Sequence, residues 1–392
     1  MSTLPPVRFD CIHFKGDRPC YPNKTYGVFC AECTLFEKDE LLFEEFPPIG
    51  EPDFEDNPDD FKKIIIVKLD AVGDVLRTTS ILPSLKEKYS DSSVTWITKE
   101  RSFDVLKDNE LIDEIYFDTD GLEHIYNDDF DIAINLDSGT DSCGIMSRLN
   151  SKERFGYYLA NGKPYPINKP ANEWYLMGVD DNAKKKIEKT YHKIIHEICN
   201  IEYTGSRPQL YITGSKIKRA TELNTKYGLG KYDEFILVNL GGGNRWQYKK
   251  WVKEGYISLI NAIIETKPET AVGIIAGGED SDFYDEIAEA VNESNRVIRL
   301  GCKNSADDFI CYIYLADKIF TSDSLAMHIA TALDKYTVVI TGPTSHTELD
   351  VFGNGTIIYS GKVDCLCCYL NKCDKTVTCM NTVTAKEIIR YL

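Results

Sequence analysis

Hydrophobic positions along the chain fall into short unbroken runs separated by stretches of helical length. The first run, KIIIVKL at 63–69, is rich in β-branched residues and closed by a glycine turn, so it predicts a strand buried on both faces. A helical pattern follows over 74–89, with Val75, Ile81, Leu82 and Leu85 on one face. Further strands are predicted at 94–98, 115–118 and 131–136, with helical segments between them. The pattern then restarts. A long helix over 183–199 leads through RPQLYI at 207–212 into strands at 235–240, 271–276, 317–322 and 336–341. Alternation of this kind predicts parallel sheets covered by helices, here two doubly wound α/β domains in series. No short-period repeat is present.

A chain of 392 residues has room for two such domains and appendages. Residues 42–60 combine proline with a run of acids, which predicts an extended, solvated linker. The expected division is a cysteine-rich arm at 1–41, a linker at 42–61, a first domain at 62–205, a second at 206–360 and a cysteine-rich tail at 361–392. The net charge of −17 disfavours nucleic acid as a partner, because phosphates would be repelled by most of the surface. Neither a signal-peptide core nor a run of about 20 apolar residues is present, so a cytoplasmic protein without a membrane span is expected. Peripheral membrane association and homo-oligomerisation stay open.

Candidate chemistry follows the strands. After the first strand come Gly73 and Asp74. The glycine permits close ligand approach, and the aspartate is either an N-cap or a general base taking a proton from an acceptor hydroxyl. Gly241, Gly242 and Gly243 follow a second-domain strand and precede Arg245, Lys249 and Lys250. Exposed amides beside positive charge suit a diphosphate, and a flexible loop with solvated lysines is the plainer reading. Gly277 and Gly278 repeat the strand-to-helix turn. Asp323, at the end of another strand, offers acceptors to sugar hydroxyls, and Ser324 begins a helix on which His328 either faces the same ligand or is structural. Gly342, Pro343 and Thr344 repeat the device after the last strand.

Of 13 cysteines, most crowd the two ends. Cys365, Cys368, Cys373 and Cys379, with Cys367 as a substitute, offer four thiols in a short loop. Cys11, Cys20, Cys30 and Cys33, with His13 in reserve, offer four more. Two structural tetrahedral metal sites are expected, against free thiols or one site shared by both ends.

KIIIVKLDAVGDVLRTTSILPSLKEKY, the Lys249–Lys250–Trp251 triplet, SDSLAMHIATALDKYTVVITGPT and CLCCYLNKCDKTVTCM together resemble glycosyltransferase family 9, the bacterial ADP-heptose transferases, over about 62–392. The resemblance implies a GT-B-type fold, two Rossmann-like domains facing across a cleft. It implies transfer of a heptose from ADP-heptose to a glycan or protein acceptor, with inversion and no catalytic metal. It makes Asp74 the base, puts Thr78 or Thr79 beside the site, and sets Lys249 on the donor phosphates. Asp323 would hold the heptose, with Ser324, Met327 and His328 lining the donor pocket. The tail is similar to the cysteine finger of autotransporter heptosyltransferases, which implies iron or zinc there. A sugar-nucleotide epimerase and a non-catalytic sugar-nucleotide-binding scaffold are the rival readings of the same architecture.

Overall fold

The computed structural model of the protein describes residues 7–16, 18–40, 46–47, 49–50, 60–242, 247–370 and 373–392. The chain divides into two units, Met1–Ser206 and Arg207–Leu392, each built on one six-stranded sheet. The first sheet contains β1 (Lys62–Val67), β2 (Ser92–Thr98), β3 (Glu114–Phe117), β4 (Asp129–Asn135), β5 (Asn150–Ala160) and β6 (Lys163–Pro166). Its order is β3-β2-β1-β4-β5-β6, parallel throughout except for the final β5–β6 pair. The second contains β7 (Glu234–Asn239), β8 (Thr270–Ile275), β9 (Val297–Gly301), β10 (Lys318–Ser322), β11 (Tyr336–Ile340) and β12 (Gly355–Ile358). Its order, β12-β11-β10-β7-β8-β9, is the same winding read from the other edge, and every pair in it is parallel. Both sheets thus have the doubly wound order typical of dinucleotide-binding folds, with the first and fourth strands of each unit adjacent at the centre.

The central strands are the unbroken apolar runs. Ile64, Ile65, Ile66 and Val67 are fully buried because helices cover both faces. Strands that the pattern misses lie toward the edges: β5 opens on polar residues, β6 carries Pro164 and Pro166, and β9 and β12 are short. Proline is tolerated in β6 because an edge strand has one side free of ladder bonds. Gly156, at φ +93°, is required where β5 passes β4, since a Cβ there would sit 1.8 Å from the Asn135 carbonyl oxygen.

Two predicted helices are each broken in two. The expected 74–89 helix is Val72–Thr78 followed by Ile81–Lys88. Pro83 has no amide to donate back to Thr79, so one helix ends and the next carries the proline in its first turn. The expected 183–199 helix is a short turn, Asp181–Lys184, and then Tyr191–Ile198, which Thr190 caps by accepting from the Lys193 amide at 3.3 Å. The lysine-rich stretch between them gains little from continuing, because adjacent like charges repel.

The N-terminal arm packs on the first unit. Phe9 meets Tyr165 and Tyr175 at centroid distances of 4.6 and 5.7 Å, and Lys163 binds Asp39 at 2.8 Å. Part of the predicted solvated linker is also docked: Phe46 stacks on Tyr165 at 5.1 Å, and the Tyr165 hydroxyl donates to the Pro47 carbonyl. Most of 41–59 lies outside the described residues. No helix among the described residues is long and apolar enough to cross a membrane.

Candidate functional site

Open parallel sheets bind ligands beyond the carboxyl ends of their strands, at the point where strand order reverses. In the first unit that point lies between β1 and β4. Lys68, just past β1, buries its ammonium there, donates to the Leu136 carbonyl at 3.2 Å and pairs with the Asp137 carboxylate. Asp137 also accepts from the backbone amides of Leu69 at 2.6 Å and Asp70 at 3.2 Å, so it staples the turn after β1. Burial opposes the Lys68 charge, but Asp137, with smaller contributions from Tyr191 and Asp74, outweighs it and raises the lysine pKa.

Asp74 stands at the third position of the Val72–Thr78 helix. It is therefore not the N-cap, a position held by Ala71, which offers no side-chain acceptor. One carboxylate oxygen lies 2.9 Å from an Arg77 nitrogen, and the other accepts from the Ala71 amide at 3.5 Å. The side chain is 37% exposed, enough for a substrate hydroxyl to reach it. Arg77 lies 3.6 Å above the buried Tyr191 ring, and the Tyr191 hydroxyl is 2.8 Å from Thr78 Oγ1. Gly73 is inside the first helical turn. Thr78 and Thr79 face inward, their hydroxyls donating to the carbonyls of Asp74 and Leu76.

The equivalent point in the second unit lies between β7 and β10. Buried Asn239 donates to the Gly241 carbonyl at 2.9 Å, to Thr321 Oγ1 at 3.0 Å and to Ser324 Oγ at 3.3 Å, tying the two strand ends together. Lys249 pairs with Asp323 at 2.7 Å, and Thr344 Oγ1 donates to the same Asp323 oxygen at 2.8 Å. Burial alone would raise the Asp323 pKa. The Lys249 charge, then His328 and the hydrogen bonds from Lys249 and Thr344, hold it well below the usual carboxylate range. Trp251 anchors the lysines: it is buried against Tyr256 and Phe320 and donates to the Val383 carbonyl at 3.2 Å.

Not every predicted residue joins this constellation. Lys250 is taken by buried Asp280 at 2.7 Å, which leaves Lys249 as the lysine beside Asp323. A Cβ on Gly242 would meet Lys250 Cγ at 2.9 Å, so that glycine lets the backbone pass the lysine pair. Gly278 opens the short turn Gly278–Asp280 that presents Asp280. Met327 is buried with Val339 and Leu349 in an apolar cluster, and His328 is buried on the same helix. Gly243 and Arg245 lie outside the described residues.

The metal sites expected at the two cysteine clusters are not shown. All thirteen thiols are free, and among the described residues no group of three or more His, Cys, Asp or Glu side chains is arranged to hold a metal ion. Cys11, Cys20, Cys30 and Cys33 do line one cavity with His13, but its walls include Phe14, Pro22 and Phe36. In the tail, Cys367 points inward toward the Thr344 carbonyl. Burial, followed by the charges of Cys368, Cys365 and Cys373, pushes the Cys379 thiol up to about 11.

Sequence reasoning missed Lys68, Asp137, Arg77 and Tyr191. Asp137 carried the available signal, a carboxylate directly after a strand, but its partner is set by strand order and not by spacing.

Each unit therefore gathers charged groups at the strand-order reversal of a doubly wound sheet, the arrangement of α/β enzymes that handle nucleotides. The model of "Glycosyltransferase family 9 (heptosyltransferase)" matches residues 122–377, more than half of the chain, and the chain belongs to that family. It is a glycosyltransferase that uses a sugar nucleotide, which sets aside the epimerase and scaffold readings. Lipopolysaccharide heptosyltransferase 1 of Campylobacter coli is 23% identical over 344 residues, covering 84% of this chain and 98% of that protein. A glycosyl transferase family 9 structure from Veillonella parvula shares the fold with a TM-score of 0.68 at 16% identity, covering 84% of this chain and 95% of the other. The E. coli ADP-heptose lps heptosyltransferase II does so at 0.60 and 16% identity, covering 84% and 97%.

Proposed function

We propose that the protein transfers a heptose from ADP-heptose to a glycan or protein acceptor, inverting the anomeric carbon, with Asp74 as general base. In that reaction an acceptor hydroxyl gives its proton to Asp74 as its oxygen bonds to the anomeric carbon, and the bond to the diphosphate breaks. The nucleotide leaves with an added negative charge, and Lys249 stabilises it in place of a metal ion. The observation that carries the reading is Asp74 itself, an accessible carboxylate held by Arg77 at the strand-order reversal of the first unit. Heptose and adenosine are favoured by the family's description and by the names of the relatives. The net charge of −17 works against a heavily phosphorylated acceptor and favours a neutral glycan or a protein.

The test is incubation of the purified protein with ADP-heptose, ADP-glucose and UDP-sugars, with and without extracts of acceptor glycans and proteins. ADP release from ADP-heptose, with a heptose mass added to an acceptor, is the expected result. Turnover of only the other donors would replace the sugar assignment, and no turnover of ADP-heptose with any acceptor would refute the reading.

A further inference from the structure

The turn that follows β11 is held by the C-terminal cysteine loop. The Cys367 amide donates to the Gly342 carbonyl at 2.9 Å, and the Tyr369 amide donates to the Pro343 carbonyl at 2.9 Å. Cys367 Sγ reaches the Thr344 carbonyl at 3.6 Å. The Tyr369 hydroxyl accepts from the Ser345 amide at 2.9 Å and donates to Glu348 at 2.9 Å. Cys367 and Tyr369 both take the left-handed backbone, at φ +56° and +49°, unusual for residues with a side chain. A Cβ on Gly342 would lie 2.5 Å from Cys379 Sγ, so the turn also fits tightly against the far end of the cysteine segment. Within that turn lies Thr344, 5% exposed, whose hydroxyl donates to the Asp323 oxygen that pairs with Lys249.

We propose that Tyr369 and Cys367 are positioning residues for the donor site. They fix the 342–345 turn, Thr344 fixes the Asp323 carboxylate, and Asp323 sets where the Lys249 ammonium stands. A loop read as a metal finger thereby serves as the outer wall of the phosphate-handling site. The proposal rests on the donor assignment above, so its test includes a measurement that needs no donor.

Full-length protein carrying Tyr369→Phe, and separately Thr344→Val, is compared with wild type by pulsed acetylation and peptide mass spectrometry. Lys250, whose partner Asp280 is on a different element, is the internal reference. The Lys249-to-Lys250 labelling ratio is expected to rise several-fold in both variants while the melting temperature stays near wild type. Where wild type turns over a sugar nucleotide, donor KM is expected to rise about tenfold with kcat within about threefold, the scale of one lost hydrogen bond to a charged network. An unchanged labelling ratio in both variants overturns the proposal, as does a rise that only tracks thermal destabilisation. If Tyr369→Phe does not fold, Thr344→Val decides by the same ratio. A fall in kcat at constant KM refutes the donor role. Absence of wild-type turnover refutes the donor assignment, while the labelling ratio still decides the coupling.

Discussion

Asp74 shows how much a single residue owes to its neighbours. Its place after the first strand, beside a glycine, marks it in the sequence as a capping residue or a base. Its position in the third helical place makes Ala71 the N-cap, while the Asp74 carboxylate still accepts from the Ala71 amide at 3.5 Å. Arg77 one turn on lies 2.9 Å away and is itself laid over Tyr191, so the carboxylate is presented in one orientation with an exposed edge. Asp74→Asn keeps the shape and removes the proton acceptor. It is expected to lower kcat by about 10²-fold or more with little change in donor affinity, measured by initial rates and by calorimetric titration with ADP. Wild-type turnover in that variant would exclude Asp74 from the chemistry. Lys249 was legible as a candidate phosphate ligand from its glycine-rich loop, whereas its pairing with Asp323 was not, since about 70 residues of intervening chain hide that contact from any local pattern.

At the scale of elements, the unbroken apolar runs located the central strands because a strand covered on both faces has no polar side to show. The same rule fails toward the edges at β5, β6, β9 and β12, which are short, polar or interrupted by proline. The turn between β1 and the Val72–Thr78 helix is held by a device from another element, the Lys68–Asp137 pair and the two amides it caps. Asp137→Ala leaves the Lys68 ammonium buried without its counter-charge and is expected to cost about 3–5 kcal/mol, read as a lower denaturant midpoint. The double replacement Lys68→Met with Asp137→Leu removes both charges and is expected to be milder than Asp137→Ala alone. A double variant at least as unstable as Asp137→Ala would show that the pair does more than neutralise itself.

Across the whole molecule, the balance of 62 acidic to 45 basic residues makes pH the natural probe of stability. Asp10, Asp131, Glu234, Asp308 and Asp323 titrate below their ordinary values: Asp10 and Asp308 chiefly through hydrogen bonds to Arg8 and Arg219, the other three because ion pairs and hydrogen bonds outweigh burial. A depressed carboxylate pKa means that the unfolded chain binds more protons, so this stability is full above about pH 4 and drains as pH falls further. His196 and His346 are also depressed, by burial, and the stability they contribute drains from about pH 6.5 downward. The melting temperature is therefore expected to decline gently from pH 6.5 to 4 and steeply below 4; a flat profile from pH 7 to 3 would contradict these assignments.

Hydrophobic periodicity acts over a few residues, and so the chain alone was enough to specify two α/β sheets, their central strands and the short loops where charged and small residues collect. Which of those loops become neighbours is a matter of strand order and of long-range packing. Only the folded sheets put Asp137 on Lys68, Asp323 on Lys249, and the cysteine loop against Thr344, because each of those contacts joins segments whose separation along the chain carries no record of their distance in space.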